Sequence, residues 1–128
     1  MSHVATVYQI SGEVKYANFV KDILLQYAQK YKSWPIHPKS KNSKDGGRLF
    51  WQSLNDFVWQ VYTIQGYDLV YDAISANDRK IIEQDLFTPI LKFFTKDRKE
   101  VLDKIHNHGT WNLAAVGMTG YVLNKPEY

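Results

Sequence analysis

The residues of this chain best suited to chemistry are His106, Asn107 and His108, three polar side chains in an otherwise apolar neighbourhood, followed by Gly109, Thr110 and Trp111. An amide donates hydrogen bonds without titrating, and a histidine has a reference pKa of about 6.5. Together they suit removal of a proton next to a carboxylate. Such a hydrogen is barely acidic until donors stabilise the developing enediolate, so the site needs a preorganised donor and a base that works near neutral pH. In that reading Asn107 binds and neutralises the carboxylate, while His108 supports the charge or takes the proton. Two other chemistries fit less well. A metal site would add a carboxylate such as Asp103, but adjacent and alternate helical positions do not share a face and no third ligand is obvious. The letters His-Asn-His also occur in HNH nucleases, whose ββα metal site a helical chain lacks. The purely structural alternative is that Asn107 caps the last helix while the histidines pack or face solvent.

A second group lies upstream. Lys39, Lys41, Lys44 and Arg48 are opposed only by Asp45, in a stretch that also holds Pro35, Pro38, Gly46 and Gly47. This reads as a basic loop, either a solvated connection or a surface for phosphate, sulfate or carboxylate groups. Arg48 at its end and Trp51, Gln52 and Asn55 beyond it are candidates to line a cleft, against packing or helix capping. Trp51 has a face that could stack on a sugar, although its apolar run places it more naturally in the core. Trp111 suits positioning the loop better than binding.

The elements that must carry these groups read as helices. Val4–Ile10 is a short apolar run, and Ser11-Gly12-Glu13 stops it and starts another. Val14, Tyr16, Ala17, Val20, Ile23, Leu24, Tyr27, Ala28 and Tyr31 then recur at spacings of three and four, the pattern of a helix that buries one face. A third helix is predicted from Leu49 to about Ala73. Ser75-Ala76-Asn77-Asp78 offers a corner and an N-cap before a fourth, which carries Ile81 to Phe94 and which Pro89 should kink. Asp97–Ile105 reads as a short charged helix or turn. The stretch Asn112–Leu123, rich in Ala and Gly, reads as a helix able to sit close to a neighbour. No window alternates convincingly enough to argue a sheet.

Composition sets the outer limits. A chain of 128 residues has room for one core, and 45% hydrophobic against 23% charged residues is too apolar for disorder. The absence of cysteine removes disulfides, thiolate metal sites and cysteine nucleophiles. A net charge of +3 is too small for a dedicated nucleic-acid binder. Neither a membrane span nor the layout of a signal peptide is present. Nothing in the pattern calls for a metal or other cofactor.

Corners echo along the chain: Ile10–Tyr16 resembles Val122–Tyr128, each an apolar helix ending at Gly or Asn with a tyrosine a few residues on, and Ile74–Asp78 is a looser third case. The expected fold is therefore all-α, with antiparallel helix hairpins forming part of an (α/α) toroid. Residues 1–128 are expected to be a single helical segment cut from a larger toroid domain. Helices left uncovered would then expose apolar faces and favour self-association.

Three stretches carry a family resemblance: Gly47-Arg48-Leu49-Phe50-Trp51-Gln52-Ser53-Leu54-Asn55-Asp56, Tyr62-Thr63-Ile64-Gln65-Gly66-Tyr67-Asp68 and Ile105-His106-Asn107-His108-Gly109-Thr110-Trp111. With them the chain, from about Ala5 to Tyr128, resembles the N-terminal α/α toroid of the alginate lyases of polysaccharide lyase family 17, the oligoalginate lyases. It is more distantly similar to heparinase II/III-like lyases. The resemblance implies exolytic β-elimination on alginate oligosaccharides, with release of an unsaturated uronate that rearranges to 4-deoxy-L-erythro-5-hexoseulose uronate. It places Asn107 and His108 at the carboxylate of the cleaved sugar, and the acid/base tyrosines further along a longer chain with a C-terminal β-domain. The 128 residues alone are therefore expected to be inactive. A periplasmic or secreted location is likewise implied by the family. The competing expectations are a heparinase-like lyase of another acidic polysaccharide and a non-catalytic helical module that holds one.

Overall fold

The computed structural model describes residues 1–40, 44–103 and 105–128. Lys41 of the basic loop falls outside them. Every regular element among the described residues is helical, as the spacings require: α1 (Ser2–Ser11), α2 (Val14–Tyr31), α3 (Ser53–Val70), α4 (Ala76–Ile82), α5 (Thr88–Lys92), α6 (Lys99–Leu102) and α7 (Asn107–Val122). The chain gathers into two compact units, residues 1–32 with 62–89, and residues 33–61 with 90–128.

In the first unit α1 and α2 pack as a helical hairpin. The corner depends on Gly12, whose φ of 70° is left-handed and whose N–H closes on the Tyr8 carbonyl. A side chain there would be strained, which is why glycine ends the helix. α2 buries Ala17, Val20, Leu24, Ala28 and Tyr31, the stripe its spacing predicts. This stripe lies against α4 and the turn that follows it. Tyr67, from the second half of α3, is buried in the same core and meets the Phe87 ring with centroids 5.0 Å apart. Its hydroxyl donates to Glu83 Oε1 at 2.6 Å, and burial, reinforced by that carboxylate, pushes the phenol pKa up. Ser75 caps α4 by accepting from the Asp78 N–H, as the corner sequence predicts.

Pro89 is accommodated by a change of helical pitch. Residues Glu83–Phe87 form a π-helical turn in which the Thr88 N–H reaches back to the Glu83 carbonyl. A proline in a regular α-helix removes one donor and drives its ring into the carbonyl four residues earlier; a widened turn just before it relieves that clash. A second π turn, Phe93–Asp97, ends where the Arg98 N–H meets the Phe93 carbonyl at 3.0 Å.

The second unit is built on the first half of α3, the Phe93–Asp97 turn and α7. Phe57 and Phe94 pack edge to face with centroids 4.7 Å apart. Across the same interior Gln60 Nε2 donates to Thr119 Oγ1 at 2.8 Å, Thr119 donates on to the Ala115 carbonyl, and Asn112 Nδ2 donates to the Phe94 carbonyl. Gln60, Asn112 and Thr119 are fully buried, so a polar seam runs through an otherwise apolar core. α7 carries no Asp, Glu, Lys or Arg in its 16 residues, yet Leu113 and Tyr121 are exposed.

Candidate functional site

The sequence predicts a helix from Leu49, but α3 begins at Ser53, and Leu49 and Phe50 lie in a bend. The cause is Asp56. Its buried carboxylate accepts the backbone N–H groups of Arg48 (2.7 Å), Leu49 (3.3 Å) and Phe50 (3.0 Å), which folds the preceding loop over the first turn of α3. Ser53 N–H is taken by the Asp45 carbonyl at 2.7 Å. Burial raises the Asp56 pKa to about 6, against the opposing pull of the three N–H donors and of the nearby Arg98 charge. Glycine is required at position 47, since a Cβ there would lie 2.5 Å from Asp56 Oδ1 and 2.6 Å from the Phe50 carbonyl.

This loop presents the first group of candidate residues. Arg48 is half-buried, its guanidinium carbon 5.1 Å above the Phe93 ring and Nη2 4.0 Å from Asp97 Oδ2. Trp51 is 56% exposed, which corrects its expected place in the core. Gln52 is half-buried and its carbonyl accepts the Asn55 N–H at 3.1 Å, while Asn55 is exposed on the first turn of α3.

The second group opens α7. The N-cap is His106, not Asn107: His106 is extended (φ −160°, ψ 179°), and its Nδ1 accepts the His108 N–H at 3.0 Å. A histidine can cap because a neutral imidazole offers an acceptor lone pair in the place of a serine or aspartate oxygen. That same Nδ1 lies 3.2 Å from Asn107 Oδ1. An Nδ1 that accepts from His108 has no proton to give Asn107, so the amide oxygen is its neighbour and not its hydrogen-bond acceptor. Asn107 is exposed and His108 half-buried with Nδ1 shielded from solvent. The two imidazoles meet edge to face, centroids 4.8 Å apart.

Asn107 thus stands at the positive end of an uncharged helix of 16 residues, where backbone N–H groups and the helix dipole favour an anion. All six candidate residues belong to the second unit. Within it, α3 and α7 are joined by the Gln60–Thr119 hydrogen bond, while Phe94 touches Phe57 and accepts from Asn112. Asp56, Gln60, Asn112 and Thr119 support this arrangement and were not predicted from spacing. Asp56 closes the Gly47–Asp56 stretch, and an acid within the first turn of a helix after a Gly-Gly pair is the one signal that points to it. Among the described residues no group of three His, Asp or Glu side chains is placed to hold a metal ion.

Comparison with known proteins adds to this geometry. A family model described as alginate lyase matches residues 2–128. The chain belongs to the alginate lyase family. It is 52% identical over 121 residues to an exo-oligoalginate lyase of Saccharophagus degradans (strain 2-40), an alignment covering 94% of this chain and 16% of that protein. It is 48% identical over 122 residues to an alginate lyase of Stenotrophomonas maltophilia (strain K279a), covering 95% of this chain and 16% of the relative. The chain therefore spans about one sixth of the length of these curated relatives. Its all-helical architecture and its hairpin are what the resemblance to an (α/α) toroid leads one to expect. No helix among the described residues is long and apolar enough to cross a membrane.

Proposed function

We propose that this chain supplies the carboxylate-binding part of an alginate lyase, acting by β-elimination on alginate oligosaccharides and releasing unsaturated uronate, one terminal unit at a time. The supporting observation is Asn107, exposed at the N-terminus of a helix without formal charge and followed by the half-buried His108. The Asn107 amide and the α7 N-terminus hold the uronate carboxylate and stabilise negative charge as it spreads into the enediolate. His108 stands beside them, poised to support that charge or to take the C5 proton. The C5–H electrons form the C4–C5 double bond, the C4–O bond breaks, and the departing sugar oxygen takes up a proton. Arg48, Trp51 and Gln52 on the loop before α3, with Asn55 on its first turn, suit contacts to sugar rings and carboxylates. The helical hairpins contribute to an (α/α) toroid, and a periplasmic or secreted location fits a polymeric substrate.

The test follows the ultraviolet absorbance of unsaturated uronate when the chain, alone and within a polypeptide of its relatives' length, meets alginate oligosaccharides. In the longer polypeptide, Asn107→Ala with His108→Ala is expected to lower kcat/KM by at least about a hundredfold, the scale of acid/base and donor contributions. Retention of most of the rate by a folded double variant refutes the assignment.

A further inference from the structure

Beside Arg48, the second unit contains a cleft of about 180 Å³ lined by Lys44, Lys96, Asp97, Arg98, Lys99 and Glu100. Its lining holds four cations and two carboxylates, and both carboxylates are already answered. Glu100 pairs with Lys44 at 3.0 Å, and Asp97 lies 4.0 Å from the Arg48 guanidinium outside the lining. The Arg98 guanidinium is held in place: Nε donates to the Gly46 carbonyl and Nη1 to the Asp97 carbonyl, each at 2.7 Å, and its carbon lies 4.8 Å above the Phe93 ring. A planar cation fixed by two hydrogen bonds and an aromatic face has already lost most of the freedom that binding would remove. Half-burial weakens its hydration and lowers its pKa, against the opposing pull of the Asp97, Asp56 and Asp45 charges. Around it the ammonium groups of Lys44, Lys96 and Lys99 are exposed, Lys44 paired with Glu100 and Lys99 with Asp103 outside the lining.

We propose that this cleft binds the carboxylate of an anionic sugar unit, with Arg98 as the fixed contact and Lys44 and Lys96 closing on the anion from the rim. The anion takes the place of Glu100 beside Lys44, an exchange that costs little because that pair is largely exposed, 79% and 66% at the two side chains. The choice of a uronate over other anions rests on the lyase reading; the presence of an anion cleft does not.

The experiment titrates the isotopically labelled chain with alginate oligosaccharides and with neutral oligosaccharides of equal length, following the backbone amides of Lys44 and Lys96–Glu100. Unsaturated product is recorded in parallel by absorbance. Saturable shifts at these amides are expected with the uronate oligomers and not with the neutral ones. Binding should weaken at least about fivefold between roughly 0.03 M and 0.3 M salt, as screening shortens the reach of exposed charges. Lys44→Glu with Lys96→Glu should weaken it at least about tenfold by reversing two of the four cations. Both side chains are exposed, so the helical circular dichroism should be unchanged, and Lys96→Ala alone provides a milder variant of the same sign. Equal shifts with neutral sugars, no shifts, or unaltered binding by the charge-reversed variant overturn the cleft. Cleft binding without product from any chain length counts against the lyase reading and leaves the cleft standing; product with unmoved cleft amides does the reverse.

Discussion

Asp56 offers a perturbation whose size and sign can be worked out. Burial raises its pKa to about 6 from the ordinary carboxylate value of 3.8. A difference of roughly two units corresponds to about 3 kcal/mol of preference for the protonated form in the folded chain. Because the folded state binds more protons than the unfolded state between these two values, the Asp56 contribution to stability is complete below pH 3.8 and is lost as pH rises through about 6. Other carboxylates titrate in the same range, so the informative quantity is a difference between two proteins. Asp56→Asn removes the titration while keeping an acceptor for Arg48 and Leu49 N–H, and sets an amide against Phe50 N–H. The lost Phe50 bond costs about 1–2 kcal/mol, against which relief of the buried charge works in the variant's favour above pH 6. Urea unfolding followed by helical circular dichroism at pH 4, 5, 6 and 7 should show the variant gaining on the parent by a few kcal/mol across that range. Parallel stability profiles for the two proteins would refute the claim that burial dominates at Asp56.

Gly47→Ala should cost about 1–3 kcal/mol by overpacking, because the new methyl meets Asp56 and a backbone carbonyl that cannot swing away, and the same urea series measures it. Tyr67→Phe should lose about 1–3 kcal/mol with its hydrogen bond to Glu83, read as a lower unfolding midpoint. In the folded parent the raised Tyr67 pKa keeps this phenol protonated where an unfolded tyrosine ionises, so its share of stability, complete below about pH 10, falls as pH climbs further. Sedimentation of the chain at rising concentration should reveal self-association, reduced by Leu113→Ser with Tyr121→Ser on the exposed face of α7.

The helices were legible in the sequence because burial imposes a period. The α2 stripe from Ala17 to Tyr31, the Gly12 corner and the Ser75 cap each follow from a local rule that no distant contact overrides. A cap at the start of the last helix was legible too, but not that His106 and not Asn107 provides it, since the choice depends on whether an imidazole or an amide turns toward the backbone. The start of α3 was misjudged for a related reason. Leu49 and Phe50 continue the helical spacing, and only the three N–H bonds to Asp56 withdraw them from the helix. Trp51, exposed by that withdrawal, shows how one buried carboxylate changes the standing of a neighbour five residues away. The Gln60–Thr119 bond pairs residues 59 positions apart, and no local pattern announces such a partner.

That bond bears on how the last helix finds its place. α7 is rich in alanine and glycine and has no charge, so sliding it by one turn along its neighbours would exchange one set of small apolar contacts for another of nearly equal worth. Thr119 against Gln60, and Asn112 against the Phe94 carbonyl, fit in one alignment only. In any other, the buried Gln60 and Asn112 amides would lose their acceptors. The seam acts as an index mark: it adds modestly to cohesion while making a slipped alignment expensive, and so it sets the depth at which Asn107 emerges.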